Sequence, residues 1–111
     1  MTNYDNKELG SIRIAPEALQ TIAKLAVMEV EGVTDINTSF FGRGKEATQG
    51  IKVTLDEEEV TIDLSINIKY GYSLPKIANA VQSKVKESIE QMAGVKVVAV
   101  NVFFSNIELS K

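Results

Sequence analysis

Between Val60 and Tyr70 the chain alternates without a break: Val60, Ile62, Leu64, Ile66, Ile68 and Tyr70 on one side, Thr61, Asp63, Ser65, Asn67 and Lys69 on the other. A sustained period of two is the pattern of a strand with one dry face and one wet face. Covering the wet side with a second apolar layer would strip water from Asp63, Ser65, Asn67 and Lys69 without supplying partners. Helices are therefore expected on the Val60 side only. The prediction is an α+β, two-layer fold: two helices packed on one face of a mixed sheet, with the other sheet face largely open.

The remaining elements fall around this strand. Pro16 suits the first turn of a helix and Glu17 complements its positive end, although Ala15 is a weak cap. Leu19, Ile22, Ala23, Ala26, Val27 and Val30 then recur at helical spacing, predicting a helix over 16–30 that Gly32 ends. Val33 to Ile36 reads as a short strand, and 37–50 as a loop interrupted by Phe40 and Phe41. Ile51, Val53 and Leu55 alternate with Lys52 and Thr54, so this strand and the central one should form an antiparallel hairpin with an acidic tip at 56–59. Ser73 and Pro75 open a second helix whose apolar stripe is Leu74, Ile77, Ala78, Val81, Val85, Ile89 and Met92, and Gly94 stops it. The run from Val95 to Phe104 is apolar almost throughout; strict alternation places Val98, Val100, Val102 and Phe104 on one face and Val97, Ala99 and Phe103 on the other. Residues 1–9 are polar and read as a flexible tail, 10–14 as a short strand, and 10–111 as a single domain.

Composition narrows the chemistry. The 111 residues include neither histidine nor cysteine. That removes disulfides, thiolate nucleophiles, thiolate metal sites and the side chain most used for proton transfer near neutral pH. The four consecutive acids at 56–59 diverge around a turn and lack further ligands, so no metal is expected. Gly42 to Lys45 lacks the spacing and the Ser or Thr of a phosphate loop, and no cofactor is expected. With a net charge of −3 and scattered lysines there is no phosphate-binding stripe, which disfavours nucleic acid and a small RNA-binding domain. Asp63 with Lys52 or Lys69 is the one plausible acid–base cluster, and an exposed carboxylate is unsuited to proton transfer at neutral pH; no catalytic residues are assigned. No apolar run approaches the length of a bilayer span and no signal peptide is apparent, so a cytoplasmic protein is expected.

Seven short motifs occur in order: IRIAPE (12–17), EVEGV (29–33), GIKV (50–53), EVTID (59–63), YGYSLPKIA (70–78), VQSKV (81–85) and VNV (100–102). On these the chain resembles the alkaline shock protein family of Gram-positive bacteria, over 10–107. The resemblance implies a non-enzymatic scaffold or adaptor in cell-envelope stress homeostasis. It would act by self-association as a homo-oligomer or through a membrane-anchored protein, without inserting into the membrane itself. The alternative implied is control of fatty-acid synthesis by binding acetyl-CoA carboxylase. The matching motifs are turn glycines, helix starts and core strands, and they transfer no catalytic residue. Candidate partner-interface residues are Val97, Ala99 and Phe103 on the last strand and Phe40 and Phe41 in the loop.

Overall fold

A computed structural model describes residues 14–38 and 50–109. The predicted tail, nearly all of the predicted 10–14 strand, and residues 39–49 with Phe40 and Phe41 lie outside the described residues. The described elements are helix α1 (Pro16–Met28), strands β1 (Val33–Ile36), β2 (Ile51–Asp56) and β3 (Glu59–Lys69), helix α2 (Leu74–Ala93) and strand β4 (Lys96–Glu108).

β3 is hydrogen-bonded to each of the other three strands. β2 runs antiparallel to its first half, with Ile51 opposite Leu64 and Asp56 opposite Glu59. β1 runs antiparallel to its second half, with Ile36 opposite Ile66 and Val33 opposite Ile68. Both meet at Ser65, whose carbonyl accepts from Asn37 N–H and whose N–H donates to Gly50 O. A residue's N–H and C=O point to the same side of a strand, so β1 and β2 lie end to end along one edge of β3. β4 follows the α2 crossover and runs parallel along the other edge, from Lys96 beside Glu59 to Glu108 beside Lys69. The sheet is therefore mixed, as the crossover order requires.

Both helices cover the Val60 face. Leu19, Ala23 and Val27 of α1 and Ile77, Val81, Val85 and Ile89 of α2 close over Val60, Ile62, Leu64, Ile66 and Ile68, all buried. Each Val, Leu or Ile among these contributes roughly 1.5–3 kcal/mol by its burial. The second helix begins as its sequence implies, with Ser73 Oγ accepting from Lys76 N–H. Ala15 gives α1 no side-chain cap. That helix tightens at its end, Val30 N–H bonding to Val27 O, and stops two residues short of the predicted Val30.

Two glycines hold positions that a side chain would spoil. At Gly32, φ is +100° and an added Cβ would lie 2.9 Å from Ile77 Cδ1 and 3.0 Å from the Tyr72 ring, so the α1–β1 turn can seat against α2 only without a side chain. At Gly50, φ is +72° and an added Cβ would lie 2.5 Å from the Asn37 carbonyl oxygen. Glutamines on the helices reach the two edge strands: Gln20 Nε2, buried under α1, donates to Ile51 O at 2.9 Å, and Gln82 Nε2 donates to Val100 O at 2.9 Å. Each supplies a donor to an edge carbonyl that no described strand pairs on that side.

Candidate interaction surface

The face of the sheet away from the helices carries Lys52 and Thr54 from β2, Thr61, Asp63, Ser65 and Asn67 from β3, and Ala99, Asn101 and Phe103 from β4. Asp63 stands between Lys52 and Asn101 in register, and Asn101 Nδ2 donates to its Oδ1 at 2.8 Å. That carboxylate is held as a hydrogen-bond acceptor by a neutral amide. Beside it Ser105 Oγ donates to Asn67 Oδ1 at 2.9 Å, tying β4 to β3 at the far end of the face. No group of three or more acidic residues fit to hold a metal occurs among the described residues.

The wet face is not uniformly open. Ser65, expected to be solvated, is 0% exposed, and its Oγ has no hydrogen-bond partner among the described residues. Its small side chain lies beside Phe103 in register, at the junction of β1 and β2.

The interface candidates separate. Ala99 is half-buried and Phe103 is 42% exposed; both sit on the wet face, beside Thr61 and Ser65. Val97 does not. It is 2% exposed and pairs with Val60 on the core side, because the register shifts between Val60 and Thr61 and inserts Val98 as an extra residue. That β-bulge reverses the alternation, sends Val98 out to 47% exposure and turns Val97 in. Phe40 and Phe41 lie outside the described residues.

A second set of exposed side chains lies where β3 ends. Tyr70, assigned by alternation to the dry face, is 67% exposed. β3 ends at Lys69, Tyr70 N–H bonds to Glu108 O at 2.9 Å, and the chain turns at Gly71 with φ +102°, carrying the ring past the end of the core. Tyr72, Ile107 and Leu109 are exposed at the same end. Tyr72 Oη donates to Glu31 Oε2 at 3.2 Å, and this hydrogen bond and the Glu31 charge raise the phenol pKa above its ordinary 10.0. The readable signal was two tyrosines around a glycine in a turn before Ser73 and Pro75, where no core position is available.

Fold and surface together define a small α+β protein with its helices on one side of a mixed sheet and a polar, partly apolar face carrying charges of both signs on the other. Sequence comparison places it further: the chain belongs to the alkaline shock protein 23 family, described by a cell envelope-related function, whose profile matches residues 4–109. Among its relatives is YqhY of Bacillus subtilis, 29% identical over 96% of this chain and 83% of that protein. Spy1535 of Streptococcus pyogenes is 33% identical over 93% of this chain and 83% of its own length. A stress response regulator gls24 homolog of S. pyogenes is 27% identical over 84% of this chain and 56% of its own. Among solved structures, the MamM CTD matches 83% of this chain and 95% of its own with a TM-score of 0.59 at 17% identity, a likeness of fold alone.

Proposed function

We propose that this chain is a non-enzymatic interaction protein of cell-envelope stress homeostasis, acting through a membrane-anchored protein partner. The observation that carries the reading is the composition of the sheet face opposite the helices. Its central carboxylate, Asp63, pairs with an asparagine amide at 2.8 Å, and Ala99 and Phe103 supply apolar area beside it. Such a face suits association better than proton transfer. Membership of an envelope-related family and the stress-regulator relative give the biological setting. No described helix is long and apolar enough to cross a membrane.

The test is a crosslinked pull-down of the tagged chain and of a Tyr70→Ser, Phe103→Ser variant, with membrane and soluble fractions analysed separately. An integral membrane protein recovered by the parent chain and lost with a folded variant is the expected result. Recovery of acetyl-CoA carboxylase subunits from the soluble fraction instead would replace the reading with control of fatty-acid synthesis. An activity abolished by replacing Asp63 and Lys69 together would overturn the non-enzymatic assignment.

A further inference from the structure

β4 is the longest strand, and among the described residues it pairs with β3 alone, leaving an outer edge that runs from Lys96 to Glu108. Val97 N–H is turned to Glu90 Oε2 and Val100 C=O to Gln82 Nε2, both on α2, so these main-chain groups point away from β3. Lys96 N–H and Glu108 C=O point towards it, bonding Glu58 O and Tyr70 N–H. Continuing from Val100 with a period of two, Val102 and Phe104 also present their N–H and C=O outward. The α2 side chains reach the first part of this edge. Beyond Val100 it has no such cover from the helix, and Ile107 is 49% exposed there.

We propose that this edge pairs with the same edge of a second copy, antiparallel about a two-fold axis at Val102. One register satisfies face, hydrogen bonding and charge together. With Val102 opposite Val102 of the second copy, Val100 falls opposite Phe104 and Val97 opposite Ile107, all on the helix-covered side, so the two cores join across the seam. The outward groups of Val100, Val102 and Phe104 then form mutual hydrogen-bonded pairs. Val100 C=O keeps its bond to Gln82, since a carbonyl accepts two. Asn101 meets Phe103 on the wet side. The same register brings Lys96 against Glu108 at both ends, opposite charges in symmetry-related pairs. Shifting the register by one residue would place core-side against wet-side positions and separate the charges.

The inference rests on the interaction role proposed above and names one partner, a second copy. It is tested on the purified full chain, so its failure and that of the membrane-partner reading are told apart. Sedimentation velocity should show a dimer whose dissociation constant rises on the order of tenfold at low salt with Lys96→Glu or with Glu108→Lys. The double exchange K96E/E108K should return it to within about threefold of the parent, because the pairs are restored with reversed sign. Val102→Cys should oxidise to a disulfide-linked dimer, since directly paired positions lie about 5.5 Å apart between Cα atoms, within disulfide range. Asn101→Cys, which has no symmetric counterpart, should not. A chain that stays monomeric at 100-fold dilution steps up to roughly millimolar concentration, where even the weak end of the affinity range would show, overturns the proposal. So does a dimer indifferent to both single charge reversals, or one in which the double exchange weakens association additively.

Discussion

Gly50 and Gly94 share a φ of +72°, but a Cβ added at Gly94 meets nothing within 4 Å whereas one at Gly50 lies 2.5 Å from Asn37 O and 2.7 Å from Ile36 Cγ2. Alanine at the two sites therefore separates the conformational cost of a left-handed backbone from the cost of a clash. The conformational part is about 1–2 kcal/mol, less roughly 0.4–1 kcal/mol for the stiffer unfolded chain. Gly94→Ala should thus lose about 1 kcal/mol. Gly50→Ala carries the same loss and also forces Asn37 away from a contact that a backbone oxygen cannot relieve by rotation. Retreat disturbs the bonds between Asn37 N–H and Ser65 O at 2.9 Å and between Ser65 N–H and Gly50 O at 3.4 Å. At about 1 kcal/mol per hydrogen bond, with some lost packing of the buried Ile36, the total is about 3 kcal/mol. In a domain of this size each kcal/mol moves Tm by about 4–8 °C. Thermal melts followed by circular dichroism should put Gly94→Ala about 4–8 °C below the parent and Gly50→Ala at least about 12 °C below. Equal losses would refute the placement of Gly50 against the end of β1.

The bulge at Val97 predicts that Val97→Ala costs about 2 kcal/mol and Val98→Ala less than about 0.5 kcal/mol in urea unfolding, the reverse of what an outward Val97 would give. Glu57 holds φ +60° at the tip of the β2–β3 hairpin, so Glu57→Gly should raise stability by about 0.5–1 kcal/mol in the same assay. Tyr72 should titrate above the ordinary tyrosine range by ultraviolet absorbance, and Glu31→Gln should bring it back towards 10.0. Its raised folded pKa means the folded state holds the proton longer. The Tyr72–Glu31 contribution is therefore present below pH 10 and is lost as pH rises from there through the folded value, a loss absent in Glu31→Gln.

The two-layer plan was legible because β3 has a clean period of two and each helix a clean apolar stripe. Those patterns depend on contact with one core, and they survive in the structure as the buried rows of β3, α1 and α2, except at the two ends of the α2 stripe, where Leu74 and Met92 are exposed. What alternation alone does not reveal is where a strand stops meeting the core. Tyr70 continues the pattern of Val60 to Ile68, yet the pairing of β3 ends one residue before it, and the ring is exposed. Ser65 errs in the opposite direction. It lies on the wet side by parity yet is buried, at the point where β1 ends and β2 begins, and such burial is a tertiary effect with no local signature.

The last strand poses a different problem, and its answer bears on every interface residue assigned there. A strand apolar at nearly all positions carries no phase, since either parity buries aliphatic side chains equally well. Its polar residues do carry one. Lys96, Asn101 and Asn106 all pair with wet-face positions of β3, namely Glu59, Asp63 and Asn67. They are spaced five apart, an odd interval that strict alternation would send to opposite faces. One extra residue in each interval reconciles them, and the register shifts fall in those intervals, at Val98 and at Ser105. Ser105 also shows why the second shift is stable: its hydroxyl shares its single proton between Ile66 O, at 3.2 Å, and Asn67 Oδ1, binding the inserted residue to the neighbouring strand. Polar spacing, rather than apolar periodicity, is thus the physical signal that assigns Val97 to the core and leaves Ala99 and Phe103 on the wet face.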